Sequence, residues 1–330
     1  MRLLRDSQRG WLHLVALAYT LIAYGLGLGV MLSQALPLAL LGSLPLAHGL
    51  VIGAYVIHEC THNTIFTDQR YNRWLGALLS WIAGGGYGDY RTIRRKHMRH
   101  HVDRADVIAY DYRALLQGHP GLRRLIEVLE WAYIPAVDLL MHGLVVVLPF
   151  MMPTRRHRRG RVVLQLLIRG GLFAALAAIN PAILLAYPLG YLLFLHAIRF
   201  MDVHQHTYPV VMTLDSREPK RGKHADRVFE QRNTYSNLCL EHPWVNLLML
   251  NFGYHNAHHL KPNLPWYDLP QLHRRSFSQD EPQSLPLRAL FGSYHRYRVQ
   301  RVLHGDDPDV PVADSREFVG VLGVSFVTAH

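Results

Sequence analysis

The residues of this sequence best suited to chemistry are histidines, which number 22 and gather into short groups. Three groups are tight and one is loose; in chain order they span His58–His62, His97–His101, the looser Asp202–His206, and His255–His259. Helical residues three or four positions apart share one face, so the imidazoles of each group can point at one spot. Because imidazole is the commonest protein ligand for metals and suits iron, copper, zinc and nickel, the grouping predicts a metal site.

The number of histidines indicates more than one metal ion. The three tight groups hold eight imidazoles, whereas a zinc ion takes four ligands. The loose group adds His206 and, one helical turn earlier, the carboxylate of Asp202. The sequence therefore favours two metal ions, with Asp202 as a candidate carboxylate ligand. His196 and His204 lie near this group and are lesser candidates.

Two other classes of protein fit parts of the pattern. His58–His62 also matches H-E-x-x-H, the zinc-protease signature in which the glutamate is the general base. An intramembrane protease of this kind needs one further ligand, and it leaves six or more clustered histidines without a role. A metal transporter is the second alternative, but it should carry polar groups along its membrane spans, and the spans described next have almost none.

Two long stretches without charge must hold these groups in place. No Asp, Glu, Lys or Arg occurs from Trp11 to Ile57 or from Gly170 to Ile198. A helix needs about 20 apolar residues to cross a bilayer, so the 47 residues of the first stretch have room for two crossings. This pattern excludes an ordinary soluble domain and a disordered chain. We predict two transmembrane hairpins, with helices near residues 11–32, 36–57, 162–179 and 182–203.

The predicted fold class is all-α: an integral membrane protein whose helical cap holds the histidine-rich dimetal site. We expect a single domain over residues 1–330. Its parts are the first hairpin (10–57), the segment with the first two tight groups (58–161), the second hairpin (162–203) and the cap with the remaining groups (204–330). Two further apolar segments, 72–86 and 125–152, are shorter or interrupted, which is typical of interfacial or re-entrant helices.

Basic residues are concentrated outside the two hairpin turns, as at Arg2, Arg5 and Arg9 and in the run at 155–159. By the positive-inside rule, the termini, the middle segment and the active site are expected on the cytoplasmic side. The same rule accounts for the formal net charge of +11. No nucleic-acid partner is therefore expected.

In spacing and order, the tight groups resemble the H-x(3,4)-H and H-x(2,3)-H-H boxes of the membrane fatty acid desaturase superfamily. The resemblance extends from about His58 to His273. Gln205-His206-Thr207 is similar to an element that follows the fourth span in acyl-lipid desaturases. Asn251–His259, followed by Lys261-Pro262-Asn263, is similar to the region around their third box.

The resemblance implies a set of metal-ligating histidines and no catalytic residue beyond the ligands. The implied ligands are His58, His62, His97, His100, His101, His206, His255, His258 and His259. Stearoyl-CoA-type relatives have an asparagine where this chain has Asp202, which leaves Asp202 as a direct ligand, a water-bridged partner or a residue that orients a ligand. Four residues that flank the boxes either accept the second N–H of an imidazole or serve only as helix-end and salt-bridge residues: Glu59, Asn63, Asp103 and Asp106.

The resemblance also implies an O₂-dependent oxidoreductase with two non-haem iron ions that introduces a double bond into a fatty acyl chain. Hydroxylation and oxidative decarboxylation to a terminal alkene occur on the same scaffold and stay open as alternatives. The chain has no G-x-G-x-x-G element and only two cysteines, Cys60 and Cys239. We therefore expect electrons from an external ferredoxin, b5-type or rubredoxin-type carrier with its reductase. The other expected partners are the bilayer and a lipid or fatty acyl substrate.

Overall fold

The protein is mostly helical throughout the residues that the computed structural model describes, which are 2–84, 89–208, 210–216, 227–278 and 281–303. Residues 85 and 86 of one predicted interfacial segment lie outside these ranges. So do residues 209, 217–226, 279–280 and 304–330 of the predicted cap.

The helices before the second predicted hairpin are α1 (Trp11–Met31), α2 (Leu36–Leu41), α3 (Ser43–Thr61), α4 (Gln69–Ile82), α5 (Tyr90–Asp103), α6 (Tyr112–Gly118), α7 (Pro120–Trp131) and α8 (Ala136–Met151). The later helices are α9 (Arg159–Ile179), α10 (Ile183–Asp202), α11 (Arg227–Arg232), α12 (His255–Leu260), α13 (Leu269–Ser276) and α14 (Leu287–Leu303). Short 3₁₀ helices cover Pro153–Arg158 and Pro243–Met249. The strands are β1 (Asp106–Ile108), β2 (Val211–Thr213), β3 (Ser236–Leu238) and β4 (Ser284–Pro286).

Four stretches of the described chain are long and apolar enough to cross a membrane, as predicted. They are α1, α2 together with α3, the first 3₁₀ helix together with α9, and α10. The second span ends at Thr61 rather than near residue 57, because His58 and Glu59 are buried by neighbouring elements and the helix need not stop where its apolar residues do. The third span begins at Pro153 rather than near residue 162, because the arginine-rich run is itself helical and leads directly into α9.

The helix α3 lies at the centre of the apolar core. In the span that contains α3, 72% of the apolar stretch is buried, compared with 11% in the span that contains α9. Two glycines permit this packing: a Cβ atom on Gly27 would lie 2.6 Å from Cβ of Leu46, and one on Gly49 would lie 2.9 Å from the backbone nitrogen of Tyr24. Small residues at such crossings let membrane helices approach closely. The last turn of α3 therefore presents the first histidine group from a firmly held helix.

A buried ion cluster ties α10 to α7 and α8. Nη1 of Arg199 lies 2.6 Å from Oε2 of Glu130, and Nη2 of Arg199 contacts the carboxylate of Asp138. These three side chains are at most 1% exposed. Because a buried charge is costly unless it is paired, the cluster fixes the end of α10 that leads to His206.

Two short parallel ladders join cap segments that are distant in the sequence. In the first ladder Asp106 of β1 pairs with Val211 of β2, and in the second Ser236 of β3 pairs with Ser284 of β4. An isolated antiparallel bridge also joins His206 to Thr234. The first ladder brings the chain after α5 beside the chain after α10. The predicted helical fold class is thus confirmed for most of the described chain, while the ladders were not predicted.

The segments predicted to be interfacial or re-entrant form α4 and the pair α7 and α8. On α4, the side chains of Tyr71, Trp74 and Leu78 follow one face of the helix and are exposed. An apolar, aromatic face of this kind is typical of a helix that lies at a bilayer surface.

Candidate metal centre

All nine histidines singled out by the sequence converge in the structure, and they do so in two groups. Within each group the nitrogen atoms that could bind a metal lie within 4.8 Å of one another. The five-histidine group consists of His58, His62, His97, His101 and His258. The four-histidine group consists of His100, His206, His255 and His259.

Each H-x-x-H-H box divides its histidines between the two groups. On α5, His97 and His101 belong to the five-histidine group and His100 to the four-histidine group. On α12 the division is reversed, with one histidine in the first group and two in the second. The reason is helical geometry, because residues four apart are rotated by about 40° whereas adjacent residues are rotated by about 100°. Two facing helices with the same box can therefore build two adjacent sites.

The spacing of the Nε2 atoms in the five-histidine group fits a shared metal ion better than a hydrogen-bond network. Nε2 of His97 lies 2.7 Å from Nε2 of His62 and 3.1 Å from Nε2 of His101. A neutral imidazole nitrogen carries either one hydrogen or one lone pair, so His97 cannot satisfy both neighbours. Zinc–imidazole bonds are about 2.0–2.1 Å long, so two nitrogens at right angles on one such ion lie about 2.9 Å apart.

The four-histidine group repeats this arrangement. Nε2 of His206 lies 3.0 Å from Nε2 of His100 and 2.7 Å from Nε2 of His255. Nε2 of His259 is buried and has no hydrogen-bond partner among the described residues. A buried imidazole nitrogen without a hydrogen-bond partner costs free energy unless something else binds it. The donor set of both groups therefore fits metal ions that accept imidazole nitrogen.

Hydrogen bonds on the far side of two rings set which nitrogen faces the group. Nδ1 of His100 donates to the carbonyl oxygen of Ala105 over 3.0 Å, and Nδ1 of His259 donates to Oε1 of Glu230 over 2.9 Å. With the hydrogen on Nδ1, the lone pair is on Nε2 and points toward the other imidazoles. Both rings are thus held in the tautomer that a metal requires.

Burial keeps these imidazoles neutral. It lowers the pKa of His100 to about 4, and the positive charge of Lys96 adds to the effect while the Ala105 carbonyl opposes it. Burial also lowers the pKa of His97 and His206, and neighbouring histidines lower it further. At neutral pH the rings therefore present lone pairs rather than protons, which is the form that binds metal.

The four predicted orienting residues divide into two pairs. Oε1 of Glu59 lies 3.8 Å from Nδ1 of His58, and Oδ1 of Asp106 lies 3.8 Å from Nδ1 of His100, so both carboxylates face a ring at longer than hydrogen-bond distance. Asp103 instead pairs with Arg99 at 2.8 Å. The backbone carbonyl of Asn63 accepts a hydrogen bond from Arg5. The last two are thus placed as helix-end and salt-bridge residues.

Glu230 is a site residue that the sequence reasoning missed. Its carboxylate accepts from His259, as described above, and also from Nε of Arg104 over 3.2 Å. It groups with His101 and His259 within ligand distance of one another. No signal in the single sequence could have found it, because α11 lies far from every histidine box along the chain.

Asp202 lies outside both histidine groups. Its carboxylate acts electrostatically on Lys96: burial lowers the pKa of Lys96 to about 7, and Asp202 and Asp106 oppose that shift. The charge of Asp202 therefore acts on the residue that directly precedes His97.

The lesser candidates His196 and His204 are engaged elsewhere. Nδ1 of His204 donates to the carbonyl oxygen of Phe200 over 2.7 Å, and its Nε2 accepts from Arg301 over 3.0 Å. Nε2 of His196 donates to the carbonyl oxygen of Tyr133 over 2.7 Å, and its Nδ1 accepts from the hydroxyl of Tyr294 over 2.9 Å. With both nitrogens of each ring occupied, neither residue belongs to the histidine groups.

A comparison with models of protein families finds a match to the family described as fatty acid desaturase, over residues 34–291. The matched region covers more than three quarters of the chain and includes all nine grouped histidines. The chain belongs to the fatty acid desaturase family. A search of curated proteins finds no match to this chain.

Family membership confirms the resemblance drawn from the histidine boxes. This family is a membrane-bound oxidoreductase family with diiron histidine clusters. His58–His62 is therefore best explained as a desaturase box, and the zinc-protease signature within it is coincidental.

Proposed function

We propose that this protein is a desaturase, which introduces a double bond into a fatty acyl chain using O₂ and two iron ions held by the nine grouped histidines. The observation that carries the proposal is the pair of adjacent imidazole groups, five and four in number, in a chain of this family. Iron bound there would supply the oxidising power to break an unactivated carbon–hydrogen bond, which general acid–base chemistry cannot do at a useful rate.

The chain itself contributes position, tautomer and exclusion of water. Ala105 and Glu230 hold two imidazoles with their lone pairs directed inward. Seven of the nine grouped histidines are fully buried, and only His100 and His101 are partly exposed. Such a site restricts water and so limits the escape of reactive species. We propose that the site lies at the cytoplasmic boundary of the bilayer, where a lipid chain can reach it, because the flanking segments are rich in arginine.

The electron balance requires a partner. Removing two hydrogens from the acyl chain yields two electrons, whereas reducing O₂ to two waters takes four. We propose that an external carrier, of the ferredoxin, b5 or rubredoxin type, supplies the other two together with its reductase. The chain's net charge of +11 favours a carrier with an acidic surface.

The test is product analysis in a host that expresses the full chain. Mass spectrometry of the host's lipids and volatiles should show a new double bond that depends on the gene, and the purified protein should contain about two irons per chain. His100→Ala should remove the product, while His119→Ala, which changes an exposed histidine outside both groups, should not. A new hydroxyl group on the acyl chain would indicate hydroxylation instead of desaturation. A hydrocarbon one carbon shorter than the acyl chain would indicate decarboxylation. Full iron content and activity in His100→Ala would overturn the ligand assignment.

A further inference from the structure

A cavity of about 650 Å³ lies on the outer side of α5, opposite the face that carries the grouped histidines. Five arginines line it: Arg73, Arg91, Arg94, Arg95 and Arg99. Of the described residues, Asp103 is the one acidic group in its lining, and Asp103 is already paired with Arg99. We call this space the arginine cavity, and its lining charge is strongly positive.

The arginines of this cavity differ in how they are held. Nε of Arg94 donates to the carbonyl oxygen of Thr61 over 3.0 Å, and Arg99 donates to the carbonyl oxygen of Leu214 over 2.7 Å. Arg73 and Arg91 are exposed, and neither forms an ion pair within the described ranges of the chain. The fifth, Arg95, faces Asp215, with Nη1 3.8 Å from Oδ1. Two guanidinium groups are therefore fixed in the wall, one is paired with Asp215, and two stand open to an anion. Guanidinium suits phosphate in particular, because its planar fork can donate two hydrogen bonds to one phosphate group.

Tyr90 gives independent evidence for a ligand. It lines the arginine cavity, its side chain is 95% buried, and its hydroxyl has no hydrogen-bond partner in the described part of the chain. A Cβ atom on Gly76 would lie 2.2 Å from the ring of Tyr90, so the absence of a side chain at Gly76 allows the ring to pack against α4. A buried hydroxyl without a partner is costly. An anion in the cavity would accept its hydrogen.

The neighbouring helix indicates where the anion comes from. Arg73 belongs to α4, whose exposed stripe of Tyr71, Trp74 and Leu78 suits burial at the bilayer surface. Aromatic side chains of this kind lie at the level of lipid headgroups. The arginine cavity therefore lies beside the layer in which phospholipid phosphates are found.

We propose that the arginine cavity binds the phosphate of a membrane phospholipid, and that this phospholipid carries the acyl chain on which the desaturase acts. The second half of this inference rests on the proposed function, whereas the phosphate site does not. Arg73, Arg91 and the hydroxyl of Tyr90 donate to the phosphate oxygens, and the wall arginines neutralise the remaining charge. The bound headgroup anchors the lipid beside α5, the helix whose other face carries grouped histidines.

The experiment measures lipid binding to the full chain in neutral detergent by native mass spectrometry. Phosphatidylglycerol is titrated against diacylglycerol with the same acyl chains, so that only the phosphoglycerol differs. The variants are Arg73→Gln with Arg91→Gln, and separately Tyr90→Phe. The matched control is Arg70→Gln with Arg156→Gln, which removes the same charge from exposed positions outside the cavity, one of them on the same helix. Each binding series is repeated on iron-depleted protein. Lipid binding can then be measured whether or not the proposed catalytic function is correct.

We expect the wild type and the control to bind phosphatidylglycerol at least about tenfold more tightly than diacylglycerol. The double arginine variant should lose that preference, and Tyr90→Phe should lose part of it. An equal loss of lipid preference in the control would show that only the overall charge matters, and it would overturn the proposed site. If inorganic phosphate or a soluble acyl thioester displaced the lipid at a concentration lower than that of the lipid, the ligand would not be a membrane phospholipid. Intact lipid binding with slower reduction by the electron carrier would make the cavity a protein docking site instead.

Discussion

The two histidine groups differ in the number of imidazoles and in what holds them. The five-histidine group draws on α3, α5 and α12, and α3 is buried at the centre of the apolar core. The four-histidine group draws on α5 and α12 and on His206, which follows the end of α10 and bridges to Thr234. Carboxylates lie beside two of its rings, Glu230 at 2.9 Å and Asp106 at 3.8 Å. The first group is thus anchored to the central buried helix α3, and the second depends on His206 and its contacts within the cap.

From this difference we infer that the two proposed metal positions are not equivalent. A group with fewer imidazoles loses a larger share of its ligands when one is removed. It also leaves more coordination positions on the metal for other ligands, as catalytic sites do. We therefore expect the four-histidine group to lose its metal more easily and to depend more on the residues around it. The following predictions test that expectation, beginning with the largest effect.

Removing one ligand from each group should abolish activity, with different effects on iron. His206→Ala leaves three imidazoles in its group, and His62→Ala leaves four. We expect His206→Ala to purify with about one iron per chain and His62→Ala to retain more than that. Plasma mass spectrometry of the purified proteins measures the difference, with His119→Ala as the control. Equal iron loss in the two variants would remove the distinction between the groups.

Breaking the buried ion cluster should destabilise the protein and loosen the end of α10 that leads to the four-histidine group. Arg199→Met leaves the carboxylates of Glu130 and Asp138 without their buried partner. Loss of one member of a buried ion pair costs about 3–5 kcal/mol. A thermal unfolding series in detergent should show this loss, with Arg156→Met, an exposed arginine, nearly unchanged. Unfolding of Arg199→Met at the wild-type temperature would show that the cluster contributes little.

The carboxylates beside the histidine rings should differ in how much they contribute to metal affinity. Glu230→Gln weakens the hydrogen bond that orients His259, and loss of such a partner lowers metal affinity by about 10–100-fold. Glu59→Gln should have a smaller effect, because its carboxylate lies 3.8 Å from His58. Competition with a graded series of chelators measures both affinities. The reverse order would mean that the five-histidine group is the one that depends on its surroundings.

Asp202→Asn should have the smallest effect on metal content. The carboxylate lies outside both histidine groups, so the variant should keep about two irons per chain. The expected change is in the surroundings of Lys96, whose charge Asp202 stabilises. Loss of one iron from Asp202→Asn would show instead that this residue is a direct ligand.

Local spacing made most of the site predictable from the sequence. Histidines three and four apart stand out in one chain, and the structure brings all nine into one region. The division of each box between two groups follows from the rotation between adjacent helical residues. It produces two sites only because α5 and α12 face each other in the fold. Glu230 could not be predicted, because it reaches His259 through tertiary packing and not through sequence proximity.

The fold was predictable to a similar extent. Four spans follow from two stretches without charge, but their ends depend on burial, as at Thr61, where polar residues continue the helix. The three-residue strands were beyond sequence patterning, because pairing such as Asp106 with Val211 depends on where two distant segments meet. Whether the histidine groups lie on the cytoplasmic side stays a prediction from the distribution of arginine and lysine.

The central claim, that each histidine group holds one iron, is tested most directly by anomalous X-ray diffraction at the iron edge from crystals of the full chain. The account predicts two peaks, one among His58, His62, His97, His101 and His258 and the other among His100, His206, His255 and His259. A single peak, or a signal at the zinc edge confined to His58 and His62, would contradict it.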